Sequence, residues 1–229
     1  EKRLSIMPVQ YIFNRQEFMG LDFWVEEGVL IPRGDTEILV EKVLELYQQY
    51  YAHKAVKVLD IGVGSGAITV SIGKYIEKSR VYGVDISPKA IEVASKNALK
   101  HGVENRITFF EGSLFEALRG KNLEKALDFI VSNPPYIPEK VIDTLSREVR
   151  DYEPLLALSG GEDGLDFYKE ILKDVPTYLK DGGWLIFEIG YDQGEALEQM
   201  MKDRGFINIE VVKDLAGLNR VVIGKKKTW

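Results

Sequence analysis

The sequence predicts an α/β fold built on a mostly parallel β-sheet, and three observations support this prediction. From residue 56 onwards, short runs of apolar and β-branched residues alternate with longer segments of helical periodicity. The connections between them are short, as in repeated strand–helix units whose helices cover both faces of one sheet. The last two strand-like runs, residues 207–212 and 220–224, have no helix between them and predict a closing antiparallel pair.

Before this alternation, residues 1–32 carry aromatic and β-branched residues around Gly20 and Gly28. This composition favours a β-hairpin that leads into the main domain. A helix is expected next, because apolar residues recur at helical spacing after Asp35 and Thr36, either of which can cap its first turn.

The other elements follow from the same periodicities. Expected strands lie at residues 56–60, 80–84, 107–111, 126–132 and 184–189, and expected helices at 67–76, 88–101, 165–179 and 193–204. The helix at 165–179 is expected to close at Asp181-Gly182-Gly183, and the connection 137–163 to be partly helical. One large domain with a sizeable core accounts for this length of chain.

The composition excludes several classes of site and partner. With 45% apolar and 29% charged residues, the chain is typical of a soluble globular protein, and its net charge of −6 argues against a nucleic-acid partner. It contains no cysteine and only two histidines, which excludes disulfides, thiolate or histidine-rich metal sites and a cysteine nucleophile. No stretch approaches the roughly 20 apolar residues of a membrane span. We therefore expect a cytoplasmic protein without a membrane anchor or a metal.

A first candidate site follows the expected strand 126–132, where the sequence reads Asn133-Pro134-Pro135-Tyr136. The prolines lack backbone N–H groups, so the strand ladder must end there. The Asn133 side-chain oxygen and the Pro134 carbonyl can each accept one N–H, and the Tyr136 ring can lie against a flat group. The stretch therefore suits a small planar group that carries an NH₂, although a plain strand-ending turn would have the same sequence.

A second candidate site is the loop between strand 56–60 and helix 67–76, which reads Asp60-Ile61-Gly62-Val63-Gly64-Ser65-Gly66. Glycines let a main chain approach a ligand closely, and the helix N-terminus offers free N–H groups. Asp85, at the end of the next strand, can accept both hydroxyls of a ribose. The spacing departs from the nicotinamide fingerprint, and an empty tight turn is the alternative. Because three strand ends meet at one crevice in such sheets, we expect a nucleoside site there.

Taken together, these motifs resemble a known family. The glycine loop, Asp85 and the closing strand pair are similar to class I methyltransferases, which use S-adenosylmethionine on a Rossmann-like, seven-stranded, mostly parallel sheet with an antiparallel last strand. Asn-Pro-Pro-Tyr is similar to the signature of members that methylate a planar amino or amide nitrogen. Five further motifs are similar to the PrmC family, also called HemK: Pro8-x-x-Tyr11-Ile12, Leu30-Ile31-Pro32-Arg33-x-Asp35-Thr36-Glu37, Tyr152-Glu153-Pro154-x-x-Ala157-Leu158, Gly161-x-x-Gly164-Leu165 and Glu188-Ile189-Gly190.

The resemblance implies a function and a set of site residues. The implied reaction transfers a methyl group from S-adenosylmethionine to the glutamine amide in the Gly-Gly-Gln motif of peptide-chain release factors, leaving S-adenosylhomocysteine. The implied catalytic residues are Asn133, Pro134 and Tyr136. The implied cofactor-binding residues are Asp60, Gly62, Val63, Gly64, Ser65, Gly66, Asp85, Ser113, Leu114 and Asn133, and the implied substrate-binding residues are Arg33, Asn133, Pro134, Pro135, Tyr136 and Glu153. Thr36 and Glu37 are expected to border the same pocket, or to cap the helix.

The chain departs from the family pattern at two positions. The family's Pro-Arg-Pro-Glu-Thr-Glu is Pro-Arg-Gly-Asp-Thr-Glu here, and an aromatic residue often seen near Leu114 is absent. The family also has a small helical N-terminal domain. We therefore expect residues 1–32 to be a hairpin and linker segment with a remnant of that domain at residues 1–8, and residues 33–229 to be the methyltransferase domain.

Three other functions remain open on the sequence. A nucleic-acid amino-methyltransferase would hold an adenine or cytosine NH₂ with the same four residues, but it needs a flipped base and a basic target-reading segment. A nicotinamide-dependent oxidoreductase fits the glycine spacing poorly. A cofactor-free binding module would give Asn133, Asp85 and the glycines no common role. Asp60 also fits a structural role at the strand end, and the loop at residues 152–154 fits either a wall over the acceptor or a plain surface loop.

Overall fold

Within residues 6–228, which the computed structural model describes, nine β-strands form two sheets. In chain order they are β1 Gln16–Phe18, β2 Leu21–Phe23, β3 Val56–Ile61, β4 Ser79–Asp85, β5 Ile107–Glu111, β6 Leu127–Ser132, β7 Leu179–Glu188, β8 Phe206–Lys213 and β9 Asn219–Lys226. The first two pair as an antiparallel hairpin, and the other seven form the main sheet.

Eight α-helices lie in the same part of the chain. They are α1 Val9–Phe13, α2 Glu37–Leu46, α3 Ala67–Tyr75, α4 Pro88–Lys100, α5 Glu139–Ile142, α6 Arg147–Tyr152, α7 Asp166–Tyr178 and α8 Gly194–Asp203. None of them is both long and apolar enough to cross a membrane. The proposed remnant at residues 1–8 falls mostly on residues 1–5, which lie outside the described range.

The main sheet has the predicted architecture. Its strand order is β5-β4-β3-β6-β7-β9-β8, and the first five strands of that order are parallel. Strand β9 runs antiparallel to both of its neighbours, β7 and β8. Ile61, at the end of β3, pairs with Val84 on one side and with Ser132 on the other. The glycine loop, Asp85 and Asn133 therefore follow three adjacent strands at the same edge of the sheet.

The core consists of two apolar layers, one on each face of the sheet. Alternate residues of a strand point to opposite faces, so Val58 belongs to the layer under α2 and α3, while the next residue, Leu59, belongs to the layer under α7 and α8. Strand β6 is buried along its whole length and contributes Phe129 to the first layer and Ile130 to the second. The candidate residues that follow β6 are therefore attached to a strand that is packed on both faces.

Three local predictions need correction. The hairpin forms around Gly20 only, since Gly28 lies in a turn outside any strand. Asp181-Gly182-Gly183 lies inside β7 and does not follow the helix. The strand begins early because Leu179 pairs with Leu127, and a register shift after Leu127 absorbs the extra residues. Thr36 precedes α2 at the cap position, but its side chain makes no capping hydrogen bond.

Gly83, in the middle of β4, should tolerate no side chain. A Cβ there would lie 2.7 Å from Phe109 Cδ1 and 2.7 Å from Val63 Cγ2, so Gly83→Ala should lower the free energy of unfolding by about 1–3 kcal/mol through overpacking. Gly34→Ala is the matched control, because its Cβ would meet nothing within 4 Å. Urea unfolding of both variants checks this, and equal midpoints would show that the strand can shift to make room.

Candidate active site

A cavity of about 250 Å³ opens at the carboxyl edge of β3, β4 and β6. It is lined by most of the predicted site residues, namely Arg33, Gly62, Val63, Gly64, Ser65, Asp85, Ser113, Leu114, Asn133, Pro134 and Pro135. Four other predicted residues, Asp60, Gly66, Tyr136 and Glu153, lie outside its lining. The fold therefore brings the two sequence motifs, which are some 70 residues apart in the chain, into one crevice.

The loop after β3 needs its glycines. Gly62, Gly64 and Gly66 all have positive φ, at 83°, 56° and 85°, which side chains rarely adopt. A Cβ on Gly66 would also lie 2.9 Å from the Cβ of Ala94, so this glycine lets α3 and α4 approach each other. A Cβ on Gly64, by contrast, would meet nothing within 4 Å. The cavity side of Gly64 is thus free for close approach by a ligand.

Asp85 is fixed against this loop by backbone hydrogen bonds. Its Oδ2 accepts from the Gly64 N–H at 2.9 Å and its Oδ1 from the Ser87 N–H at 2.9 Å. Burial raises the pKa of Asp85, and these backbone donors partly offset the shift. Asp85 lines the cavity, and a carboxylate oxygen can accept more than one hydrogen bond. Asp85 can therefore accept a hydrogen bond from a ligand hydroxyl.

Asp60 lies behind the loop, outside the cavity lining. It is fully buried, and its Oδ2 accepts a hydrogen bond from Thr69 Oγ1 of α3 at 2.5 Å. Burial raises the pKa of Asp60 to about 7. Within residues 6–228 its Oδ1 has no hydrogen-bond partner. The contact with α3 favours the structural interpretation of Asp60.

The Asn133 carboxamide has a defined orientation. Its Nδ2 donates to Thr36 Oγ1 at 3.3 Å, and both residues line the cavity. The side-chain oxygen, which can only accept, is thereby left for a ligand. Ser132, the preceding residue, donates from its hydroxyl to the Ile61 carbonyl at 2.6 Å and ties the end of β6 to β3. Thr36 thus belongs to the site as the holder of Asn133.

Tyr136 points away from the cavity towards the second core layer. Its Oη donates to Glu188 Oε1 at 3.3 Å, and its main-chain carbonyl accepts from Gln193 Nε2 at 3.1 Å. Burial and the neighbouring Glu188 carboxylate raise the pKa of this phenol. The predicted role of the ring, to lie against a flat acceptor, remains a prediction.

The long connection after β6 forms one wall of the cavity. Pro154, Leu156 and Ala157 line it, and an ion pair between Arg33 Nη2 and Glu153 Oε1, 2.5 Å long, ties the wall to the segment before α2. Glu153 is 5% exposed, lies outside the cavity lining and contacts the site through Arg33. Glu37 does not border the cavity; its Oε1 accepts from the Met19 N–H of the hairpin.

Two residues in this region were missed by sequence reasoning. Phe167 of α7 lines the cavity, as Ser113 and Leu114 do, and so places an aromatic ring in its wall. The sequence analysis named Glu188 only as part of a motif, although Glu188, like Asp85, is an acidic residue at the end of a buried strand. Within residues 6–228, no group of His, Asp and Glu side chains is placed to hold a metal ion.

Comparisons with known proteins agree with this geometry. A family model described as "Methyltransferase domain" matches residues 52–227. The "Release factor glutamine methyltransferase" of Geobacter sulfurreducens is 48% identical over 98% of this chain and 75% of its own length. The protein of the same name from Clostridium acetobutylicum is 48% identical over 96% of this chain and 76% of its own length.

The fold also has a counterpart among solved structures. The hMettl16 catalytic domain, solved in complex with a 3′UTR hairpin, superposes with a TM-score of 0.63 at 14% identity. The match covers 97% of this chain and 91% of that one. At this identity the likeness concerns the fold alone.

Proposed function

The chain belongs to the release factor glutamine methyltransferase family, and from this premise we propose that it methylates the side-chain amide nitrogen of the glutamine in the Gly-Gly-Gln motif of a peptide-chain release factor, with S-adenosylmethionine as the methyl donor. The observation that carries the proposal is the orientation of Asn133. With Nδ2 held by Thr36 at the cavity wall, the side-chain oxygen would serve as the acceptor for an amide N–H.

The residues that line the cavity fit S-adenosylmethionine, the methyl donor. The open space beside Gly64 admits close approach of the methionine portion, and the Asp85 carboxylate, which the loop holds at the cavity, suits the ribose hydroxyls. Ser113, Leu114 and Phe167 would flank the adenine. When bound, S-adenosylmethionine supplies an electrophilic methyl group on a sulfonium.

The protein's task is to position a poor nucleophile. An amide nitrogen is weakly nucleophilic because its lone pair is delocalised into the carbonyl. Asn133 Oδ1 and the Pro134 carbonyl would each accept one N–H, which fixes the amide plane and directs the nitrogen. The same two acceptors stabilise positive charge that develops on nitrogen, and so act more strongly on the transition state than on the ground state. The proton can leave once the nitrogen has become cationic, so this reaction requires no strong base.

A labelling experiment tests the proposal. The protein is incubated with S-adenosylmethionine that carries a labelled methyl group and with three acceptors: a release factor, its Gly-Gly-Gln→Gly-Gly-Ala variant, and duplex DNA. We expect label on the intact release factor alone. Label on DNA would indicate a nucleic-acid amino-methyltransferase, and equal label on the Gly-Gly-Ala variant would show that another residue is the acceptor.

A further inference from the structure

Gln193 is a buried amide side chain, directly before α8, that the proposed reaction leaves without a role. Its Nε2 donates to the main-chain carbonyls of Tyr136 and Gly164, at 3.1 Å each. Its Oε1 accepts from the Gly190 N–H at 2.9 Å. A carbonyl can only accept and an N–H can only donate, so these three partners allow one orientation of the Gln193 amide. The side chain therefore joins three separate segments of the chain at one point.

One of these segments carries the residues that would bind the methyl acceptor. The two prolines that follow Asn133 have φ fixed by their rings, so the chain up to Tyr136 is stiff. At the start of this stretch, the Ser132 hydroxyl ties the end of β6 to β3. At its end, Gln193 holds the Tyr136 carbonyl. The position of the Pro134 carbonyl is thereby set from both sides.

A second segment, residues 158–164, packs against the same stretch. Both main-chain groups of Ile137 form hydrogen bonds with it, 3.0 Å long for the N–H and 2.9 Å long for the carbonyl. A Cβ on Gly164 would overlap the Tyr136 carbonyl oxygen and lie 2.8 Å from Gln193 Nε2. A side chain at position 164 would therefore displace the contact between Gln193 and Tyr136.

We propose that Gln193 is a positioning residue for the methyl acceptor: through the Tyr136 carbonyl, it holds the stiff proline pair where the Pro134 carbonyl can accept an N–H of the substrate amide. This inference rests on the proposed function, because it concerns the half of that site which would bind the glutamine side chain. Gln193 does not line the cavity, so it acts on the acceptor only through the main chain.

A purely structural role would lie at the other end of the same amide. The hydrogen bond from the Gly190 N–H to Oε1 closes the turn before α8 and does not involve the acceptor segment. Gln193→Glu separates the two roles. A carboxyl group keeps an acceptor for Gly190 but, even when protonated, offers one hydrogen for two carbonyls. Gln193→Met has a similar length and removes the hydrogen bonds at both ends.

The test measures kcat for release-factor methylation and the Kd for S-adenosylmethionine in Gln193→Glu, Gln193→Met and Gly164→Ala. We expect each variant to lower kcat roughly 10- to 100-fold, because a displaced acceptor loses its alignment with the methyl group, while the Kd for S-adenosylmethionine stays unchanged. Two matched controls should keep the wild-type kcat. Gln199→Glu makes the same change at an exposed position of α8. Gly205→Ala has nearly the same φ, 78° against 77° at Gly164, and its Cβ would meet nothing within 4 Å.

Amide hydrogen exchange gives a readout that does not depend on activity. In Gln193→Glu the Ile137 N–H should exchange faster than in the wild type, because the segment that it pairs with is no longer tied to Tyr136. The Gly190 N–H keeps its acceptor in this variant and should exchange as in the wild type. A side chain that only closes the turn before α8 would give no such difference between the two amides.

Three outcomes would overturn the inference. The first is a wild-type kcat in Gln193→Glu, and a loss confined to Gln193→Met would then assign the side chain to the turn. The others are a loss of S-adenosylmethionine binding as large as the loss of kcat, and unchanged exchange at Ile137. Thermal melting shows which variants are folded, and Gly164→Ala, which acts from the opposite side of the contact, decides the question if neither Gln193 variant is.

The proposed function and the role of Gln193 fail in different ways. Failure of the wild-type protein to label the release factor would contradict the proposed function, and the role of Gln193 in it. Normal labelling by the wild-type protein, with the same kcat in Gln193→Glu, would contradict the role of Gln193 alone.

Discussion

Asn133→Ala is expected to lower kcat for release-factor methylation by about 100-fold or more, the usual effect of removing one hydrogen-bonding group that stabilises transition-state charge. Alanine removes the acceptor for one substrate N–H and leaves the Pro134 carbonyl to hold the amide alone. The amide plane is then free to rotate, and positive charge on the nitrogen loses one of its two partners. Steady-state kinetics with a release factor test the acceptor half of the site. Calorimetric binding of S-adenosylmethionine tests the donor half.

The binding measurement decides how an effect of Asn133→Ala is interpreted. Asn133 is proposed to lie between the methyl donor and the methyl acceptor. We expect the Kd for S-adenosylmethionine to change little compared with kcat. Asn105→Ala is the matched control, because this asparagine is exposed and lies outside the cavity lining. A normal kcat in Asn133→Ala would show that another group holds the glutamine amide. A loss of S-adenosylmethionine binding as large as the loss of kcat would assign Asn133 to the donor.

Sequence reasoning predicted the main sheet because its signals are local. Buried strands such as β6 appear in the sequence as apolar runs, and prolines or glycines mark where they end. The antiparallel pair β8 and β9 could be predicted because no helix separates the two strands. The confirmed seven-stranded architecture therefore needed no knowledge of contacts between distant residues.

The errors arose where distant pairing overrides a local signal. Asp181-Gly182-Gly183 has the composition of a turn, yet Leu179 already pairs with Leu127 across the sheet, and the strand absorbs the glycines in a register shift. Thr36 has the composition of a helix cap, yet its hydroxyl holds Asn133, which is 97 residues away in the chain. No local pattern reports such a partner.

The contrast between local and distant signals also explains which site residues could be placed from the sequence. Gly64 and Asp85 end or follow strands, and their closeness follows from the parallel topology. Tyr136 is close in sequence to Asn133, but only the packing shows that its hydroxyl turns towards Glu188.

Asp85→Ala is expected to weaken S-adenosylmethionine binding roughly 10- to 100-fold, because each hydrogen bond to a charged group contributes about 1.5–3 kcal/mol. Both Asp85 oxygens are held by backbone N–H groups, and the residue lines the cavity. Removal of the carboxylate also leaves the Gly64 N–H without its partner, so the loop itself loses a contact. Calorimetric titration of the donor measures the loss, and kcat at saturating donor should change far less.

Glu111→Gln separates this hydrogen bonding from a general effect of charge. Glu111 pairs with Asp85 across β4 and β5, is exposed, and does not line the cavity. Its substitution removes one negative charge at the same edge of the sheet, as Asp85→Ala does, but leaves the proposed ribose contacts intact. We expect the Kd for S-adenosylmethionine to stay close to that of the wild type in Glu111→Gln. Equal losses in the two variants would show that the negative charge at this edge of the sheet, and not hydrogen bonds to Asp85, holds S-adenosylmethionine.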